Sequence, residues 1–256
     1  MKKEICWLGH NAWLLRVGGS VLAIDPFLLL PSSPVKGAEV KADFVLVSHG
    51  HADHCADAEQ ILKKNDAVLI AMAEVADWYR GKGIKKTEPM NIGGSIPIEI
   101  KDDTGKPFTI RVMMVPAFHS STMPDGRSGG NSCGFLISIP KKEGDAGFNG
   151  AIRPLSEILS DYWNIYFACD TGFFSEMEWL GSLSIDTAVI PIGDRYTLGP
   201  AASLDALALL KPKKVIPAHY NSWPPIQQDA EMWADAVRRQ GFAEPILLKP
   251  GESAVF

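Results

Sequence analysis

The sequence predicts two β-sheets packed face to face with helices on both outer sides, an α/β (α+β) sandwich of four layers. Three observations carry this. Short apolar runs bounded by turn residues open the chain. Strand-like and helix-like segments then alternate, from Phe44 and again from Trp163. Polar, titratable residues recur just after strand-like runs, where layered α/β proteins tend to place function.

The elements follow in order. Glu4–Leu8, Ala12–Val17 and Ser20–Asp25 read as strands, the first two joined by Gly9-His10-Asn11 and the second pair by the hairpin signal Gly18-Gly19. Phe44–Val47 is a continuous apolar run, read as a buried strand. Ala56–Asn65 reads as a helix, Val68–Ala71 as a strand, and Glu74–Arg80 as a helix stopped by Gly81 and Gly83. Ile96–Lys101 and Phe108–Pro116 pair across Asp102-Asp103-Thr104-Gly105, and Cys133–Ile139 is another strand. Trp163–Ala168, Asp186–Ile190 and Lys214–Pro217 are strands alternating with helices at Ser175–Leu180, Ala201–Leu210 and Gln227–Gln240. Short strands at Ile246–Leu248 and Ser253–Phe256 close the chain. No linker, repeat or low-complexity tract divides it, so residues 1–256 are expected to form a single domain.

Composition narrows the function classes. A hydrophobic fraction of 46% with 21% charged residues is that of a soluble globular protein able to bury a core without disulfides. The net charge of −5 argues against a general nucleic-acid binder, which needs clustered Lys and Arg. Val21–Leu30 contains Asp25 and Pro26 and is too short to span a bilayer, and the N-terminus offers no signal-peptide core, so no membrane association and a cytoplasmic location are expected. Cys6, Cys55, Cys133 and Cys169 form no CxxC pair and read as buried free thiols.

The chemistry concentrates in Ser48-His49-Gly50-His51-Ala52-Asp53-His54-Cys55, directly after the Phe44–Val47 strand. A purely structural role would demand a separate buried partner for each imidazole and for the carboxylate, whereas a cation satisfies several at once. His49 and His51 are two apart and point the same way in an extended loop; Asp53 and His54 can turn toward a second point. We read H-x-H-x-D-H as a two-metal site. The remaining histidines, His10, His119 and His219, and Asp170 each follow a strand-like run, which makes one convergent site plausible. Asp25 is read as orienting a ligand histidine. Asp194, Arg195 and Asn221 are weaker candidates for the pocket wall, and the glycine-rich loop 120–131 reads as a mobile rim. Cys169, taken as a strand residue facing away from Asp170, and Cys55 are not expected to ligate.

The motif resembles the signature of the metallo-β-lactamase superfamily. Further stretches, among them Trp7-Leu8-Gly9-His10, Asp25-Pro26-Phe27, Phe118-His119-Ser120-Ser121, Asp170-Thr171-Gly172-Phe173-Phe174, Pro191-Ile192-Gly193-Asp194 and His219-Tyr220-Asn221, are similar to its UPF0173 metal-dependent hydrolases, nearly end to end. The resemblance implies the αββα sandwich with two mixed sheets, and two divalent ions, zinc first with manganese or iron as alternatives. It implies that His49, His51 and His119 hold one ion, that Asp53, His54 and His219 hold the other, and that Asp170 bridges them. The implied reaction is attack by a hydroxide held at that centre on an ester, lactone or phosphodiester of a small-molecule substrate. His10, left outside this set, is a candidate substrate ligand, positioning group or general acid, so Asp53 and His10 are the two catalytic candidates. Two departures stand out. Cys169 takes the place where relatives carry glycine, and 141–162 replaces a short hairpin and is read as a lid or a homo-oligomer contact. Alternatives are a nuclease-like phosphodiesterase, disfavoured by the acidic balance, a redox protein of the flavodiiron type, disfavoured by the intact His51, and a non-catalytic metal-binding protein.

Overall fold

A computed structural model describes residues 1–142, 148 and 152–256. Strands β1 (Lys3–Trp7), β2 (Trp13–Val17) and β3 (Ser20–Ile24) form an antiparallel meander, and β4 (Phe44–Val47), β5 (Val68–Met72) and β6 (Thr87–Met90) continue the sheet in parallel. The second sheet repeats this plan. Strands β7 (Ser95–Lys101), β8 (Pro107–Pro116), β9 (Cys133–Pro140) and β10 (Tyr162–Phe167) run antiparallel, then β11 (Ile185–Pro191), β12 (Lys214–Ala218) and β13 (Glu244–Pro245) run parallel. The last strand, β14 (Ser253–Val255), returns to the first sheet and pairs antiparallel with β1. Each sheet is therefore mixed and seven-stranded among the described residues.

Burial explains the sheet patterns. All four residues of β4 are buried, as expected of a parallel strand covered on both faces. In β7 the exposed residues alternate with more buried ones, the mark of a strand with one wet face. Inner faces meet where Trp13 of β2 packs on Phe167 of β10, ring centroids 6.4 Å apart. Outside, α2 (Ala58–Asn65) lies on β4 and α3 (Ala73–Gly81) on β5 and β6. On the other side, α4 (Leu155–Leu159), α6 (Pro200–Leu210) and α7 (Ala230–Gln240) lie on β10, β11 and β13, with α5 (Met177–Gly181) against α6. The predicted four layers are present.

The departures are local and have physical reasons. The helix expected over Ala56–Asn65 starts two residues later, as α2 at Ala58, and a separate short helix α1 (Ala52–Cys55) precedes it; Asp57 between them accepts from the Leu28 amide at Oδ2, 2.6 Å away. Strand β6, absent from the sequence reading, is Thr-Glu-Pro-Met; its polar character and Pro89 are tolerated because it is the sheet edge. A strand expected at Ile246–Leu248 lies instead at Glu244–Pro245, again an edge. The helix expected from Gln227 starts at Ala230, where the Asp229 carboxylate accepts from Met232 N at 2.9 Å and caps it. Of the insertion 141–162, the described part forms α4, which buries Ile158 and Leu159; residues 143–147 and 149–151, on which the lid or subunit-contact reading largely rests, lie outside the described residues. Among the described residues no helix is long and apolar enough to cross a membrane.

Candidate metal centre

The centre is assembled from turns that leave strand ends. His10 follows β1, Asp25 follows β3, His49–His54 follows β4, His119 follows β8, Asp170 follows β10 and His219 follows β12. Several of these turns need a left-handed residue, and the chain supplies it without glycine: φ is 52° at His10, 44° at Asp25, 53° at Cys169 and 55° at His219. Each such residue costs roughly 1–2 kcal/mol, the kind of backbone strain that gathers at functional sites. The turn at Cys169 also revises its expected placement, since β10 ends at Phe167.

Two glycines are required by close approach. A side chain at Gly50 would come within 2.6 Å of Met123 Sδ, so the gap between His49 and His51 is where loop 120–131 seats itself. A side chain at Gly193 would collide with the His219 carbonyl. Loop 120–131, expected as a mobile rim, is mostly exposed but anchored at points: Met123 is buried, Met123 N donates to Arg127 O at 2.8 Å, and Trp78 Nε1 donates to Asp125 Oδ2 at 2.7 Å.

All the side chains singled out as ligands come together. His51 Nδ1 lies 3.1 Å from His49 Nε2 and 3.3 Å from His119 Nε2, so the three form one group. Asp53, His54, His219 and His10 form a second. Asp170 Oδ2 stands between them, 3.0 Å from His219 Nε2, 3.2 Å from His54 Nε2 and 3.7 Å from His119 Nε2. Its Oδ1 is held by Asn11, whose Nδ2 donates to it at 3.2 Å, and Trp13 Nε1 in turn donates to Asn11 Oδ1. Asp25, fully buried, accepts from Ser48 N at 2.7 Å, Ser48 Oγ at 2.6 Å and His54 Nδ1 at 2.9 Å. That contact to Nδ1 turns Nε2 of His54 toward Asp170, the orienting task expected of Asp25.

The donor set fits divalent cations. His54 Nε2 and both ring nitrogens of His219 are buried without a hydrogen bond of acceptable geometry, despite their nearness to Asp170. Stranded buried polar atoms are costly unless something else satisfies them, and imidazole nitrogens with carboxylates match borderline cations such as zinc. The charge states agree in part. Burial lowers the pKa of His49, and of His119, favouring the neutral form that ligates. Burial raises the Asp170 carboxyl, but His219 and His54 outweigh it and hold it well below the usual range. Burial likewise opposes a charge on His54, yet Asp170 and Asp25 raise its pKa well above the ordinary value, so without a cation this ring carries a proton.

His10 is less peripheral than the sequence suggests. Its ring is buried, 4.0 Å from the His219 ring, with Nε2 3.3 Å from Asp53 Oδ2 and Nδ1 2.9 Å from Ser222 Oγ. Burial pushes its pKa down to about 4, so it is neutral near pH 7. A neutral ring donating from Nε2 to Asp53 accepts at Nδ1 from the Ser222 hydroxyl. Asn11, Ser48 and Ser222 were missed by sequence reasoning; their adjacency to His10, His49 and the His219 turn is the only signal they give. Of the weaker candidates, Asn221 Oδ1 is spent on Gln228 N at 2.8 Å, and Asp194 and Arg195 are exposed. Cys55 is buried with its thiol pushed up to about 11, Cys169 is also raised by burial, and neither belongs to either group.

Fold and site together define a metal-dependent hydrolase of the metallo-β-lactamase type. A family model described as "Beta-lactamase superfamily domain" matches residues 20–220. A UPF0173 metal-dependent hydrolase of Thermus thermophilus is 39% identical over 97% of both chains, and one of Archaeoglobus fulgidus is 38% identical over 99% of both. Among solved structures, Igni18, a metallo hydrolase of Ignicoccus hospitalis, superposes with a TM-score of 0.80 at 30% identity over 100% of this chain and 99% of its own. The chain belongs to the UPF0173 metal-dependent hydrolase family of the metallo-β-lactamase superfamily.

Proposed function

We propose that residues 1–256 form one domain carrying a dinuclear centre, with zinc the first choice of metal, that hydrolyses an ester, lactone or phosphodiester of a small molecule. The observation that carries this is the convergence of buried, unpartnered imidazole nitrogens on a single carboxylate oxygen, Asp170 Oδ2. In this reading His49, His51 and His119 hold one ion, Asp53, His54 and His219 the other, and Asp170 serves both. Ions held there would supply activation of water near neutral pH and polarisation of the oxygen of the scissile group. The chain's own residues do the rest. Asp25 fixes the tautomer of His54, Asn11 fixes the rotation of Asp170, and His10 holds Asp53 in place through its Nε2–H. Asp53 is the partly exposed acid of the set, its side chain 32% accessible, and stands where a substrate arrives. Return of β14 to β1 supports the single domain, and four buried free cysteines support a reducing, cytoplasmic setting.

The test is metal content by mass spectrometry together with turnover on ester, lactone and phosphodiester panels. Wild type is expected to hold two ions and to hydrolyse at least one panel, and His51→Ala to lose metal and turnover together. Full metal occupancy in His51→Ala removes it from the ligand set. A two-ion wild type inert on every panel leaves a metal-stabilised fold without this chemistry.

A further inference from the structure

Resting on the hydrolase reading above, we propose that this enzyme takes a substrate with an apolar, preferably aromatic, group beside the scissile bond, seated on a wall formed by Trp223 and Phe27 beside His10, with Phe118 next to His119 at the other group of ligands. The distribution of exposed apolar side chains is what points there. Of the ten exposed large apolar side chains among the described residues, five, Leu29, Phe118, Phe173, Tyr196 and Trp223, stand on the loops that carry or abut Asp25, His119, Asp170 and His219, and the other five are spread over the rest of the chain. Single exposed apolar residues need no explanation, but a concentration of them around one mouth marks a binding surface.

The wall is built next to the reacting groups. The Trp223 ring lies 4.7 Å from the His10 ring at 70°, Phe27 lies 5.9 Å from it at 74°, and the two apolar rings are 6.0 Å apart. His10 in turn touches Asp53, so a group resting on this wall lies beside the accessible carboxylate. Phe118, 59% exposed, directly precedes His119 and stacks on buried Phe174 at 5.0 Å. Its backbone is anchored too: Phe118 N donates to Thr171 Oγ1 at 2.9 Å, while Gly172 N donates to the Phe118 carbonyl.

The turn that carries the indole is equally preset. Asn221 N donates to Ile226 O at 2.9 Å, Ile226 N to Trp223 O at 3.1 Å, and Pro224-Pro225 stiffen the turn between. A rigid aromatic platform loses little entropy on binding, which is the condition for apolar area to convert into affinity.

The experiment compares benzoate with acetate as product-type carboxylates on the metal-loaded protein, by calorimetry, in wild type, Trp223→Ala and Phe118→Ala, with metal content measured in each. Benzoate is expected to bind wild type roughly tenfold or more tightly than acetate, the effect of burying one ring. Each variant keeps its metal and narrows that ratio several-fold. Equal binding of the two carboxylates by wild type overturns the proposal, as does an unchanged ratio in both variants. Because the readout is binding, it separates the two readings: a protein that prefers benzoate yet hydrolyses no panel refutes the hydrolase, and one that hydrolyses without preference refutes the aromatic wall.

Discussion

Replacing Asp25 with Asn tests how the centre is held, because it changes the chemistry of one side-chain atom and almost no volume. Asp25 is fully buried and takes three donors: Ser48 N at 2.7 Å on Oδ1, and Ser48 Oγ at 2.6 Å and His54 Nδ1 at 2.9 Å on Oδ2. A carboxylate accepts all three, whereas an amide has one accepting oxygen and a nitrogen that only donates. If the amide oxygen stays with Ser48 N, its NH₂ faces His54 Nδ1, and the ring must move its proton to Nε2, the atom meant for the cation. If the oxygen serves His54, the Ser48 amide is stranded. Either way a hydrogen bond to a charged group is lost, at about 1.5–3 kcal/mol. Disturbing such an outer partner typically weakens a metal site ~10–100-fold. Chelator competition should therefore show a dissociation constant raised by that factor in Asp25→Asn, with secondary structure retained by circular dichroism. A constant within about twofold of wild type would refute the argument that Asp25 sets the tautomer of His54.

His10→Ala is expected to keep both metals while lowering turnover, roughly tenfold or more, and Ser222→Ala to move turnover the same way by less; loss of metal in His10→Ala would instead place His10 among the ligands. Loading the metal-free protein should release protons, because Asp170 and Asp25 overcome burial to keep His54 charged until a cation arrives. The sign follows: with its folded pKa raised, His54 stabilises the metal-free fold fully below its unfolded value near 6.5 and progressively less as pH climbs through the raised one, while cation affinity climbs with pH. Calorimetry in buffers of different ionisation enthalpy checks this, and no buffer dependence would contradict it. Gly193→Ala should cost about 1–3 kcal/mol in thermal unfolding and lower metal content, since its new methyl meets the His219 carbonyl; an unchanged melting temperature would show that the turn gives way freely.

How much of this was legible in the sequence depended on whether the signal was local. The Phe44–Val47 run and the strand–helix alternation after Trp163 are local patterns, and the two sheets follow them. The missed strand, β6, and the displaced one, β13, are edge strands holding Pro89 and Pro245, whose strand identity comes from a neighbouring strand and not from their own residues. The site divides in the same way. H-x-H-x-D-H is compact enough to read unaided, and the resemblance supplied roles for the distant His119, Asp170 and His219. Asn11 and Ser222 were invisible because an Asn or Ser beside a turn is ordinary until the fold brings Asp170 or His10 within 3.2 and 2.9 Å of it.

The left-handed turns connect the two halves of that argument. The resemblance implies glycine before the aspartate, and the φ of 53° at Cys169 is a backbone conformation that glycine adopts without strain. The same conformation at His10, Asp25 and His219 is harder to foresee, because those residues are kept for their side chains despite the backbone cost. Left-handed residues stand in the turns of His10, Asp25, Asp170 and His219, whereas His49–His54 and His119 leave β4 and β8 without one, so strands of both sheets reach Asp170 by two kinds of turn.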